Sequence, residues 1–167
     1  PNPSLEREED TLVFSGKMSY HANVSMVKYL AAEVMPRIWE RSPRVRLIVV
    51  GKDPPSDIKA LGGNPLIQIT GTVGDIRPYL WKSMVALVPL IYGAGIQNKI
   101  LEAMATGTPV VTTSRALSSL AAIPGSEILV GDTPDDFSSR VLDLLTDPNS
   151  RKSIGAGGLR YVQKNHH

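Results

Sequence analysis

Apolar and polar positions along the chain switch between two periods. Residues 11–16 (TLVFSG) form a short apolar run closed by glycine, the signal of a buried strand. From 23 to 41 the spacing becomes helical: Val24, Val27, Ala31, Val34, Met35 and Ile38 fall on one face. Pro36 predicts a kink or a division in that helix. Residues 45–51 (VRLIVVG) are apolar almost throughout, as strands covered on both faces are. Residues 53–62 predict a short helix with proline near its start and glycine at its end. A third strand is expected over 66–70, then a short helix over 75–83 with Asp75 at its N-cap. Residues 84–90 (MVALVPL) predict a fourth strand, 97–106 a helix closed by Gly107, and 109–113 and 127–130 the last two strands. Thr133-Pro134-Asp135-Asp136 is a helix start: a capping threonine, proline at the first position, and acids favoured by the helix dipole. Phe137, Val141, Leu144 and Leu145 form that helix's apolar stripe, and a final helix over 149–164 is weakened by Gly155, Gly157 and Gly158.

Parallel strands need helical crossovers, and right-handed crossovers cover both faces of the sheet. The expected fold class is therefore α/β: a doubly wound, Rossmann-like parallel sheet of about six strands with helices on both faces. The length of 167 residues fits one domain, long enough to bury a core without staples.

Composition removes several function classes. With no cysteine there is no disulfide framework, no thiolate zinc site and no cysteine nucleophile. His21, His166 and His167 are the whole histidine complement, which leaves little for a histidine metal centre. The pI of about 9.0 accompanies a net charge of only +2, with scattered lysines and arginines, so nucleic acid is not the expected partner. No apolar run approaches the ~20 residues of a membrane span. The acids Glu6, Glu8, Glu9 and Asp10 read as a solvated lead-in, and a first residue other than Met fits a piece of a longer protein.

In doubly wound folds ligands bind beyond the carboxyl ends of the strands. Those positions carry Gly16-Lys17, Gly51-Lys52, Gly71 to Asp75, and Gly93 to Lys99 ahead of a helix bearing Glu102. Glycine lets backbone amides approach a ligand, helix N-termini attract phosphate, and Lys17, Lys52 and Lys99 can neutralise a diphosphate. Each loop taken alone also fits glycine ending a strand and lysine coating a surface. Lys99 stands out, because a cation at a helix start is disfavoured by the dipole and is better explained by a nearby anion. Two readings of Glu102 stand side by side. It is a surface acid or a partner of Lys99 at i, i+3, or it accepts hydrogen bonds from ribose hydroxyls. There is no GxGxxG after the first strand, no Walker sequence and no HExxH. Asp132, Asp135 and Asp136 read as helix capping rather than as a metal cluster.

The stretch KILEAMATGTPVV, beginning at Lys99, resembles the nucleotide-binding signature of GT-B glycosyltransferases, in the large retaining family called group 1 or family 4. FSGKMSYHANVSMVKYLAAEVMPRI, LIVVGKDP, ITGTVGDIRPYL and the tail ILVGDTPDDFSSRVLDLLTDPNSRKSIGAGGLRYV occur in that family's order. GIQNKILEAMA resembles a bacterial subgroup linked to cell-surface and exopolysaccharide assembly. The resemblance implies a donor-binding C-terminal domain over 1–167, with an acceptor-binding N-terminal domain lying outside this chain. It puts the ribose-binding acid on Glu102. The diphosphate falls to Gly16 and Lys17 and to the backbone of Gly95, Ile96, Gln97 and Asn98. The base falls against Gly71 to Asp75, with Val73 as the apolar contact. It implies no cofactor and no metal. The substrate is a nucleoside diphosphate sugar of UDP or GDP type, and the acceptor a glycan or lipid-linked molecule. It also implies a cytoplasmic enzyme, with peripheral association of the full-length protein at the inner face of the membrane.

Two positions depart from the family pattern. A sugar-contacting glutamate expected eight positions before Glu102 falls on Ala94, and a second basic residue falls near Asn23. Lys99 or Lys52 is left to supply the missing positive charge, and no catalytic nucleophile is identified. The alternatives are a nucleotide-sugar 2-epimerase-like domain, a nicotinamide-binding module, and a nucleotide-binding domain that has lost catalysis.

Overall fold

The apolar runs become one parallel sheet. The computed structural model describes residues 6–93 and 97–166. The strands are β1 (Thr11–Ser15), β2 (Arg46–Val50), β3 (Ile67–Ile69), β4 (Val85–Val88), β5 (Val110–Thr112) and β6 (Leu129–Val130). They lie in the order β3-β2-β1-β4-β5-β6, all pairs parallel, with Val13 opposite Ile48 on one side and Ala86 on the other. Every residue of β1 and β4 is buried, as their unbroken apolar runs require in a sheet covered on both faces.

The helices are α1 (His21–Tyr29), α2 (Met35–Arg41), α3 (Ser56–Leu61), α4 (Arg77–Lys82), α5 (Asn98–Ala105), α6 (Ser114–Leu117), α7 (Pro134–Thr146) and α8 (Pro148–Asn165). Between α1 and α2 the chain widens into a π-helical turn, Leu30–Val34, where the Met35 amide bonds the Leu30 carbonyl five residues back. Pro36 is the cause, since it has no N–H to continue the ladder. The extra residue rotates the buried stripe. Met26 and Leu30 join Val27, Val34, Met35 and Ile38 in the core, while the expected Val24 and Ala31 are only partly buried.

Other local expectations were met or amended by specific contacts. The Thr133 hydroxyl accepts from the Asp136 amide at 3.0 Å and caps α7. Asp75 does not cap α4; Ile76 holds that position, and the Asp75 carboxylate accepts from the Arg77 amide at 2.9 Å while pairing with its guanidinium. Asp132 holds the start of α6 through the Ser114 amide, and Asp135 pairs with Arg37 at 2.7 Å. The glycines of α8 do not interrupt it. A Cβ on Gly155 would lie 2.5 Å from the Gly107 carbonyl oxygen, and one on Gly157 2.0 Å from that of Ser126. The helix therefore lies against backbone at those positions, and its glycines are packing residues.

The acidic lead-in is more than a solvated tail. Arg7 Nη2 donates to the Thr106 carbonyl, and Nη1 shares its two hydrogens among the carbonyls of Leu80, Trp81 and Ser83 and the Thr108 hydroxyl, all at 2.9–3.0 Å. Its guanidinium thus clamps the carboxyl ends of α4 and α5, where carbonyls lack helical partners and the dipole favours a cation.

Candidate functional site

The sheet order creates the site. From β1 the chain steps outward to β2 and β3, then returns to place β4 on the other side of β1. The connections leaving β1 and β4 diverge, and a crevice opens beyond their carboxyl ends. A cleft of 570 Å³ lies there, large enough for a nucleotide-sized ligand. Its walls include Gly16, Lys17, Lys52, Val73, Gln97, Asn98, Lys99 and Glu102.

Two turns interlock at its floor. The Gly16 amide donates to the Val50 carbonyl at 2.9 Å, and the Met18 amide to the Lys52 carbonyl at 3.0 Å. A Cβ on Gly51 would stand 1.8 Å from the Gly16 oxygen, so only glycine permits this approach. The interlock brings Lys17 and Lys52, 35 positions apart in the chain, to the same cleft.

Lys99 comes from the opposite wall, in the first turn of α5. Its ammonium donates to Asn23 Oδ1 at 3.0 Å and lies 5.7 Å from the centre of the Phe14 ring. Burial pushes its pKa below the ordinary lysine value, and Glu102 only partly offsets this. Glu102 is exposed at the rim of the crevice, and partial desolvation there raises its carboxyl, with Lys99 pulling it back. Among the described residues no ion pair joins the two, since neither takes part in any contact within 4.0 Å of an opposite charge. The i, i+3 pair considered from the sequence is therefore not formed: the Asn23 amide and the Phe14 ring capture the ammonium instead. Gln97 stands at the N-cap of α5 without a side-chain cap, which leaves amides of the first turn available to a ligand among the described residues.

Not every expected residue reaches the cleft. Val73 does, with Thr72 and Ile76 beside it. Gly71, at φ +70°, lines a separate depression beside β3 with Arg46 and Lys59. Asp75 is held by Arg77 and is not part of the cleft wall. Gly95, Ile96 and Ala94 lie outside the described residues. The two described residues before them, Tyr92 and Gly93, are tethered to neighbouring elements. Tyr92 meets His21 Nδ1 and, at 3.1 Å, the Ser25 hydroxyl, while Arg115 donates to the Gly93 carbonyl at 2.9 Å.

The sequence marks Asn23 only as a departure from the family pattern, and its place in the site comes from the structure. It is buried, and its Nδ2 donates to the Lys17 carbonyl at 2.9 Å. A signal was present: asparagine competes with backbone bonding inside helices and is a poor choice in an early helical turn unless its side chain has work elsewhere. Tyr20 and Ala22 complete that edge of the cleft.

An open doubly wound sheet with a lysine-lined crevice at its switch point defines a Rossmann-like α/β domain. The sequence narrows this further. The family model described as "Glycosyl transferases group 1" matches residues 9–147, and the chain belongs to that family. No curated protein matches the sequence. Among solved structures, the C-terminal domain of the glycosyl transferase group 1 family protein LpcC from Francisella tularensis is similar at TM-score 0.73 and 15% identity, over 97% of this chain and 88% of that one. TarM from S. aureus, solved with fondaparinux, alpha-GlcNAc-glycerol and UDP, is similar at TM-score 0.82 and 14% identity, over 100% of this chain and 34% of that one. Anabaena HepE, solved with UDP and glucose, gives 0.72 and 15%, over 93% and 44%. The chain thus spans about a third of TarM and less than half of HepE. The fold is that of a GT-B C-terminal domain. No described helix is long and apolar enough to cross a membrane.

Proposed function

We propose that this chain is the donor-binding half of a retaining glycosyltransferase that moves a sugar from a nucleoside diphosphate sugar to a glycan or lipid-linked acceptor in cell-surface polysaccharide synthesis. The observation that carries this reading is the charge of the crevice. Lys17, Lys52 and Lys99 line it against a single carboxylate, Glu102. Three cations around one acid, beside an uncapped helix start, suit a ligand bearing two phosphates and a sugar-like diol.

In this reading Glu102 accepts hydrogen bonds from the ribose hydroxyls, as an acid does in dinucleotide folds. Val73 and Ile76 offer the apolar surface for the base. Lys17, Lys52 and the first-turn amides of α5 meet the diphosphate together with Lys99. As the glycosidic bond breaks, negative charge grows on the departing diphosphate oxygen. Fixed cations and amides then stabilise the transition state more than the ground state. The acceptor belongs to the other half of the enzyme, outside this chain.

Calorimetry with UDP, GDP and NAD tests the reading. One of the diphosphates is expected to bind in preference to NAD, and the reverse preference overturns it. Glu102→Ala is expected to weaken the bound diphosphate by about 1–3 kcal/mol, the usual cost of stranding polar partners. An unchanged affinity removes Glu102 from the ribose role.

A further inference from the structure

One buried polar side chain in the crevice has no part in the function just described. Asn23 is only 6% exposed, and its amide is used at both ends across three segments of the chain. Nδ2 donates to the Lys17 carbonyl at 2.9 Å, and Oδ1 accepts from the Lys99 ammonium at 3.0 Å. Space has been cleared for it, since a Cβ on Gly16 would fall 2.8 Å from Asn23 Cγ. The Lys99 ammonium also lies 5.7 Å from the centre of the Phe14 ring, and among the described residues no carboxylate pairs with it.

We propose that Asn23 is a positioning residue for diphosphate recognition: a neutral bridge that holds the Lys17 turn and the Lys99 ammonium at one spacing without cancelling either charge. The chemistry of the alternatives explains the choice. An aspartate would grip Lys99 more tightly, but it would neutralise the charge a phosphate needs and turn an acceptor toward the Lys17 carbonyl. An aliphatic side chain would hold neither group. A carboxamide donates to a carbonyl and accepts from an ammonium while adding no charge. Lys17 follows β1 and Lys99 opens α5, so the bridge spans the switch-point crevice. A fixed Lys99 ammonium and a held turn that carries Lys17 face a pair of phosphates across that crevice, and the bridge therefore sets preference for a diphosphate over a monophosphate.

This inference rests on the proposed function, and its test separates the two. The 167-residue chain, Asn23→Asp, Asn23→Ser, Lys99→Met and the Asn23→Ser/Lys99→Met double variant are titrated with the preferred nucleoside diphosphate, its monophosphate and the nucleoside, with melting curves alongside. Asn23→Asp is expected to lose the diphosphate-over-monophosphate preference by about tenfold, while nucleoside affinity stays the same. Asn23→Ser should lose the same preference in part and decides the question if the aspartate variant does not fold. The double variant should lose less preference than the sum of the two single losses, because both changes share the Lys99 ammonium. Folded Asn23 variants that keep the preference within about twofold, or losses that add in the double variant, overturn the inference and leave the functional reading standing. A native chain that binds neither UDP nor GDP overturns both.

Discussion

Gly51→Ala places a methyl carbon 1.8 Å from the Gly16 carbonyl oxygen. Carbon and oxygen settle at about 3.3–3.6 Å, so the turns after β1 and β2 must separate by roughly 1.5 Å. Two backbone bonds hold them, Gly16 to Val50 at 2.9 Å and Met18 to Lys52 at 3.0 Å, and both would stretch beyond useful length. Each is worth about 1 kcal/mol net, and each leaves a poorly solvated donor when broken, so the expected loss is about 2–4 kcal/mol. For a domain of this size that is a fall in Tm of roughly 5–15 °C. The same movement separates Lys17 from Lys52, so nucleoside diphosphate affinity should fall with Tm. Calorimetric melting and isothermal titration of the same sample measure both. A Tm within about 2 °C of the native chain, with unchanged affinity, would refute the claim that backbone contact at Gly51 builds the cleft.

Burial depresses the Lys99 pKa, with Glu102 opposing. Since diphosphate binding needs the ammonium, affinity should begin to fall on the alkaline side before an ordinary lysine titrates. Lys99→Arg should move that fall to higher pH, and a flat native profile from neutral into alkaline buffer would contradict the assignment. In the free chain the linkage has the opposite sign. Between the lowered folded value and the ordinary unfolded one the unfolded state binds more protons, so stability from this group rises with pH. Arg7→Met removes the guanidinium from the carbonyls of Trp81, Ser83 and Thr106, while Leu80 keeps the Thr108 hydroxyl, and should cost about 2–4 kcal/mol in denaturant unfolding; a loss under about 0.5 kcal/mol would mean that water replaces the clamp.

Much of the fold was legible because strand and helix periods are local. The runs 11–16, 45–51 and 84–90 state burial on both faces within a few residues, and each became a strand flanked by neighbours. The Thr133 cap is equally local and formed as read. The π-helical turn before Pro36 was not legible. Proline announces a lost hydrogen bond, but whether the helix kinks, ends or widens depends on which side chains the core accepts.

The site divides the same way. Its ingredients, glycine after each of the first four strands, lysine in three of those loops and Glu102 in an apolar helix, are stated by the sequence, as is the family. Their arrangement belongs to the tertiary structure. Lys99 and Glu102 are three positions apart, yet the ammonium goes to Asn23, 76 positions away, because the sheet order sets α1 and α5 on either side of one crevice. Gly71 and Asp75, each two positions from Val73, fall outside that crevice because β3 is an edge strand and Arg77 takes the Asp75 carboxylate. Hydrophobic period reports which face of an element is buried. Only the packed order of strands decides which distant loops meet, and so which charges share a ligand.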